Sequence, residues 1–183
     1  IRVMGEAQSL GLTTSATNVF GFGENVRDRV EHMNKIRILQ ERSLSKDYPG
    51  FTSFISWPVM LENNAFGKLG SRRGATNLGA GSVEYLRHVS VSRLFMNNID
   101  HIQSSWPTMG LKVAQIALTA GADDIGSTMM EENVVSASGT TKTMATISEL
   151  KESILSCGFT PARRDSDYNI LEILKEDQAQ LKI

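Results

Sequence analysis

The chain is short of thiols. Cys157 is the one cysteine in 183 residues, so an internal disulfide is excluded, and the composition fits a reducing cytosol. No charge of one sign dominates. Nineteen Lys and Arg stand against 20 Asp and Glu, a formal net charge of −1, so no strongly basic surface marks the chain for nucleic acid or anionic lipid. No apolar run approaches the roughly 20 residues of a membrane span, and no signal-peptide pattern is present. The Gly-rich dinucleotide fingerprint, the phosphate loop and the nucleophile elbow are also missing; Gly21-Phe22-Gly23 lacks the third glycine of the first. His32, His88 and His101 are scattered, without zinc spacing, and read as surface or packing histidines.

What is present is an alternation of strand and helix. The chain opens without a Met, inside a helical pattern, with Val3, Ala7 and Leu10 on one face and Gly11 at its end. That opening leads us to expect a longer native protein with an N-terminal part ahead of Ile1. Leu12 to Phe20 reads as a strand, rich in Thr, Val and Phe. After the Gly21-Phe22-Gly23 turn, Asn25 caps a helix running to about Ser43, with Val26, Val30 and Met33 as apolar positions. Phe51 to Trp57 is a second strand. Pro58 to Gly81 reads as one long loop, a length that is usually functional or disordered. Ser82 caps the next helix, whose apolar contacts are Val83, Leu86, Val89 and Leu94. Asp100 to Trp106 is a third strand, followed by a helix over Lys112 to Thr119 with Val113, Ile116 and Ala117 inward. Asp124 to Thr128 is a short fourth strand that leads to Glu131, Glu132 and Asn133. Thr146-Ile147-Ser148-Glu149 is a capping box that opens a last clear helix with Leu150, Ile154 and Leu155 buried. Residues 159–183 form a tail that ends in a charged helix.

Four strand–helix units imply a parallel sheet, because each return crosses over the sheet. Two architectures fit: a small open doubly wound sheet, or half of an eight-unit barrel. A whole barrel needs ~250 residues, more than this chain has. In a barrel the loops after the strands carry the chemistry. That directs attention to small hydroxyl residues followed by carboxylates at a strand's end, as in Gly126-Ser127-Thr128 and then Glu131-Glu132-Asn133.

Ordered blocks then carry a resemblance: Thr17-Asn-Val-Phe-Gly21 through Glu24, Phe51-Thr-Ser-Phe-Ile-Ser-Trp-Pro58, Glu62-Asn63, Ile102-Gln-Ser-Ser-Trp106, Gly126-Ser-Thr-Met-Met-Glu-Glu-Asn-Val134, Gly158-Phe-Thr-Pro-Ala162 and Arg164-Asp165. In this order they resemble the C-terminal half of the cyclic dehypoxanthinyl futalosine synthases, radical S-adenosylmethionine enzymes of menaquinone biosynthesis, and cover the chain to about Leu171. Aminofutalosine synthases and deazaflavin-cofactor synthases are relatives of similar architecture. The chain departs from the family's pattern at Phe22, where a His is usual, and at Met60 and Leu61, where Gln and Pro are usual. Its loop from Ala65 to Gly81 is also longer.

The resemblance implies an α/β fold, the C-terminal half (about four βα units) of a radical SAM TIM-type (β/α) barrel. Residues 1–158 would form the partial barrel and residues 159–183 a tail on it. It implies S-adenosylmethionine and a [4Fe-4S] cluster as cofactors, the cluster held by a three-cysteine loop in the missing N-terminal half, and dehypoxanthinyl futalosine as substrate. The chain alone would then supply walls of the pocket and be inactive, in a cytoplasmic protein with neither membrane nor nucleic acid as partner. Thr17, Gly21 and Glu24 would line the cofactor, and Gln103, Ser105, Glu131 and Asn133 the substrate. Glu132 is the candidate catalytic acid or base, and no metal ligand falls within the chain. Against these roles, Glu24 also reads as an acid favoured at a helix start, Thr17 as a β-branched strand residue and the paired acids as caps. Trp57 and Trp106 read as core or as stacking platforms. Two other readings stand beside the radical enzyme: a self-sufficient small α/β binding domain, and a different barrel enzyme using flavin or a metal.

Overall fold

Three parallel strands in sequential order carry the molecule. The computed structural model describes residues 1–63, 65–72, 78–129, 134–137 and 142–174. Helix α1 (Arg2–Ser9) leads into β1 (Thr14–Phe20), then α2 (Val26–Leu44), β2 (Phe51–Pro58), α3 (Ala65–Arg72), α4 (Ser82–Phe95) and β3 (His101–Gln103). The short α5 (Trp106–Met109), then α6 (Leu111–Thr119), α7 (Val134–Ala137) and α8 (Ile147–Leu155) follow, and a hairpin of β4 (Ala162–Arg164) and β5 (Ile170–Ile173) closes the series. β1 pairs with β2 and β2 with β3, both parallel. The order never reverses, as it must in a doubly wound sheet. A mixed α/β fold with a singly wound parallel sheet is therefore established; closure into a barrel is not seen among the described residues, where β1 is paired on one edge only.

Local chemistry explains the helix ends. Asn25 accepts from the Asp28 amide at 3.0 Å while Asp28 accepts from the Asn25 amide at 3.0 Å, a capping box that satisfies two otherwise unpaired donors. Thr146 and Glu149 do the same for α8. Three hydrogen-bond donors lower the Glu149 pKa: the Lys142 ammonium first, then the Thr146 amide and hydroxyl, bring it to about 2.

The core lies between the sheet and the helices. Ala16, Phe20, Phe54, Ile102, Tyr85, Val89 and Trp106 are buried in it. Along β1 the burial alternates, with Ala16, Asn18 and Phe20 under the helices and Ser15, Thr17 and Val19 exposed on the other face. That second face is the one that would line a barrel.

Several expectations are corrected. The loop over residues 58–81 contains α3. The third strand stops at Gln103, because Trp106 and Pro107 begin a helical turn. The fourth strand is reduced to a single parallel bridge from Gln103 to Asp124. The tail forms a hairpin before residues 175–183, where the expected charged helix falls outside the described residues. The helix faces also differ: Val3 and Leu10 of the first helical segment are exposed and Gln8 is buried, held by Ser43 and Thr14. On α4, Val83 and Leu94 are exposed while His88 and Ser92 are buried. On α6 the buried positions are Ala114, Ala117 and Leu118, and Ile116 faces out.

Candidate functional site

Register places one row of side chains across the open face. Thr17 pairs with Ile55, Ile55 with Gln103, and Gln103 with Asp124. Paired residues of a parallel ladder share a face, so these four lie abreast. One step nearer the strands' C-terminal ends, Val19 and Trp57 pair, both exposed. The strands are parallel, so the loops after them gather at one edge.

The first of these loops is tightly built. Gly21 has φ +96°, and a Cβ there would lie 2.9 Å from the carbonyl carbon of Gly79. The Gly79 amide donates to the Gly21 carbonyl at 2.7 Å, so the loops after β1 and β2 cross where neither can carry a side chain. Phe22 meets Phe66 of α3 edge-on, at 5.4 Å between ring centroids. Glu24 folds back on the turn: Oε1 accepts the Gly21 amide at 2.8 Å and Arg29 Nε at 2.6 Å, and Oε2 accepts the Phe22 amide at 2.7 Å. Partial burial pushes its pKa up, but the backbone amides and Arg29 outweigh this and hold it below the usual carboxylate range. Arg29 also pairs with Glu84 at 2.7 Å and lies over the Phe20 ring. An alanine at position 21 adopts this φ only with strain of about 1–3 kcal/mol, before the steric conflict. Gly21→Ala is therefore expected to lower the unfolding free energy by at least that amount, seen as a lower midpoint of guanidinium unfolding with the slope unchanged; an unaltered midpoint would show that the Gly21–Gly79 crossing gives way freely.

Around the third strand, Gln103 and Ser105 separate. Gln103 stays in the open-face row, with its amide against Gly126, where a Cβ would lie 2.9 Å from Gln103 Nε2. Ser105 lies beyond the strand and is buried; its amide donates to the Tyr85 hydroxyl at 2.7 Å and its hydroxyl meets Thr108 Oγ1 at 2.8 Å. Trp106 is buried, and its indole donates to the Ser127 carbonyl at 2.9 Å. Trp57 is exposed on the open face. Glu131, Glu132 and Asn133 lie outside the described residues.

The adjacent acids Asp123 and Asp124 receive no role in the sequence reading, and they turn to different partners. Asp123 pairs with His101 Nδ1 at 2.6 Å and with Arg93, and accepts the Ile102 amide at 2.7 Å. Asp124 pairs with Arg164 of the hairpin and accepts the Gly126 amide at 2.5 Å. Two acids in sequence with Arg164-Asp165 downstream were the available signal. A cavity of about 630 Å³ borders this region, with Asp124, Thr128, Leu150, Ile154 and Tyr168 among its walls.

Iron–sulfur ligation is not a property of these residues. Cys157 stands alone in the sequence, and its thiol donates to the Gln115 carbonyl at 3.2 Å; among the described residues no three His, Cys, Asp or Glu converge on a common point. The Glu24 carboxylate offers about four acceptor positions; the Gly21 and Phe22 amides, Arg29 and its own backbone amide draw on them, and it remains partly exposed. No helix among the described residues is long and apolar enough to cross a membrane.

The model of the CofH/MqnC C-terminal region matches residues 48–177. The chain is 37% identical over 182 residues to a cyclic dehypoxanthine futalosine synthase of Halalkalibacterium halodurans, covering 100% of this chain and 45% of that protein. It is 38% identical over 179 residues to the enzyme of the same name from Streptomyces coelicolor, covering 98% of this chain and 41% of that protein. It is also 38% identical over 143 residues to a 5-amino-6-(D-ribitylamino)uracil--L-tyrosine 4-hydroxyphenyl transferase of Methanosphaerula palustris, covering 78% of this chain and 37% of that protein. The chain thus spans less than half the length of these relatives.

Proposed function

This chain belongs to the CofH/MqnC C-terminal family, and from that premise we propose that it forms the C-terminal part of a radical S-adenosylmethionine enzyme that converts dehypoxanthine futalosine to its cyclic form. The observation that carries the reading is the match of two cyclic dehypoxanthine futalosine synthases over 100% and 98% of the chain, tail included. The remainder of the protein supplies the iron–sulfur cluster, since one thiol cannot hold it. When bound, the cluster and S-adenosylmethionine would supply radical chemistry, the removal of a hydrogen atom from the substrate.

The chain's own residues bind and orient. Glu24 remains partly exposed and would accept a ribose hydroxyl in exchange for one of its present donors, while Gly21, closed off by Gly79, shapes the turn that presents it. Thr17, exposed on the open face, extends that wall. Gln103, in the same row, offers both a donor and an acceptor to the substrate. Ser105 shapes the following turn through Thr108 and presents less to a ligand than Gln103 does. Glu131 and Asn133 keep their assignment to the substrate and Glu132 its assignment as acid or base, all three on the family resemblance.

The test is reconstitution. The full-length protein, loaded anaerobically with iron, sulfide and S-adenosylmethionine and given a reductant, is expected to form the cyclic product from dehypoxanthine futalosine, seen by mass spectrometry. A second reading rests on the equal identity of the hydroxyphenyl transferase relative over 78% of the chain. Product only from tyrosine and 5-amino-6-(D-ribitylamino)uracil would move the assignment to that enzyme.

A further inference from the structure

The C-terminal hairpin reaches the candidate site through one carboxylate. Asp124 Oδ2 accepts Arg164 Nε at 2.7 Å and Nη2 at 2.5 Å, while Oδ1 accepts the Gly126 amide at 2.5 Å. The Asp124 carbonyl is held in turn by the Ser104 amide at 2.8 Å and the Ser104 hydroxyl at 3.1 Å. Arg164 itself is fixed. Its Nη1 donates to the Asp165 carbonyl at 2.9 Å, and its guanidinium lies 3.9 Å from the centre of the Tyr168 ring. Tyr168 also stacks on His101, with centroids 3.9 Å apart and planes 6° from parallel. His101 is tied to Asp123. The hairpin is thus clamped to the last two strand ends by two adjacent acids and a stack of flat groups.

The amide held by Asp124 is that of Gly126, the residue against which the Gln103 side chain rests. Asp124 is nearly enclosed, its side chain 9% exposed, so its carboxylate depends on these few donors. Without the guanidinium, a half-satisfied buried charge remains, and such a group moves toward water or recruits another partner. Either response releases the Gly126 amide and the backing of Gln103.

We propose that Arg164 is a positioning residue: through Asp124 it fixes Gly126 and thereby the Gln103 amide that faces the substrate. The role toward substrate rests on the function proposed above; the mechanical link from Arg164 to Gly126 does not. Lysine at position 164 keeps the charge but loses the fork that grips Asp124 while stacking on Tyr168.

Three measurements on the full-length protein test this. In Arg164→Met, hydrogen exchange at the Gly126 amide is expected to quicken while α2 is unchanged; equal protection overturns the proposal whatever the substrate is. Substrate affinity, measured by calorimetry without reductant, is expected to fall about tenfold in Arg164→Met and in Gln103→Ala, and by no more than that in the double variant, because residues in one chain of contacts are not additive. A double variant a hundredfold weaker would mean that Arg164 does not act through Gln103. In turnover, Arg164→Met is expected to release more deoxyadenosine per cyclic product than wild type, and Arg164→Lys to restore part of the coupling; a uniform loss of both products with a lower melting temperature would reduce Arg164 to a structural role. Should the wild-type protein make no cyclic product, the functional reading fails, and hydrogen exchange at Gly126 still decides the link.

Discussion

Trp106→Ala destabilises the protein by about 3–5 kcal/mol, the range for removing a buried large aromatic side chain. Trp106 is 2% exposed and packs in the same core as Tyr85, Phe54 and Ile102. Its loss also removes the indole donor to the Ser127 carbonyl. The two contributions separate in Trp106→Phe, which retains much of the volume and lacks the N–H. That variant is expected to lose about 1–2 kcal/mol, the cost of an unpaired carbonyl and a small void. The midpoint of guanidinium unfolding, measured on the full-length protein for both variants, gives the comparison. If Trp106→Phe is as unstable as Trp106→Ala, the hydrogen bond rather than the packing holds the loop after the last strand. If neither variant shifts the midpoint, Trp106 is not part of a cooperative core.

The same residue shows what a sequence can and cannot announce. Trp106 reads equally well as the end of a strand or as a stacking surface, because a β-propensity run does not say where pairing stops. The stop is set by Pro107, which opens a helical turn, and by Tyr85, whose hydroxyl takes the Ser105 amide that a longer ladder would have used. Capping is legible where a box is spelled out: Ser82, expected as a cap, is instead the first residue of α4, with Gly81 in the cap position and no side-chain bond. The boxes at Asn25 and Thr146 depend on residues three apart, so local spacing is enough to find a helix start there, and the structure keeps both. Helix faces are legible only in part: Met33, Val89, Ala117 and Leu150 are buried as expected, and the misses share a related reason. An apolar stripe on α4 predicts burial of Val83 and Leu94, yet the buried face carries His88 and Ser92. Those polar groups are satisfied only by partners far away in sequence or one turn back: Ser56 for His88, and the His88 carbonyl for Ser92.

The candidate site divides along the same line. The placement of Thr17 and Gln103 on one face and of the Gly21–Glu24 turn after β1 is legible because strand alternation and glycine punctuation are local signals. The hairpin of residues 162–173 is not. Its strands are short and largely exposed, Ala162-Arg163-Arg164 and Ile170-Leu171-Glu172-Ile173, without the apolar alternation over about 4–8 residues that marks a half-buried strand. It is held by the Asp124–Arg164 pair and the Tyr168 stack, contacts across 40 residues or more. Val19 and Trp57, apolar and exposed on the open face, follow the strand alternation but not the usual rule that large apolar groups turn inward.

Acid is expected to weaken the protein through one buried ring. His88 lies against Phe20, with ring centroids 4.4 Å apart, and its Nε2 is shared by Ser56 Oγ at 3.0 Å and Asn18 Nδ2 at 3.4 Å. Burial first, then the nearby Arg29 charge, lowers its pKa from 6.5 to about 4; Glu24 and Glu84 pull the other way without prevailing, and His32 adds to the lowering. The folded state thus keeps His88 neutral where the unfolded chain binds a proton. The stabilisation is complete above pH 6.5 and is lost as the pH falls through about 4. Converted at 1.36 kcal/mol per pKa unit, the loss is about 3 kcal/mol. Other carboxylates, Glu24 and Glu149 among them, also lose their bonds in acid, so the absolute curve does not isolate the ring. The difference from His88→Gln does. Glutamine keeps hydrogen-bonding groups near Ser56 and Asn18 and does not titrate, so the variant is expected to be weaker at neutral pH and to converge on wild type by pH 4. Unfolding free energies at four pH values between 7.5 and 4 would show it. Curves that stay parallel throughout would mean that His88 titrates alike in both states, and that the space between Phe20 and α4 admits water.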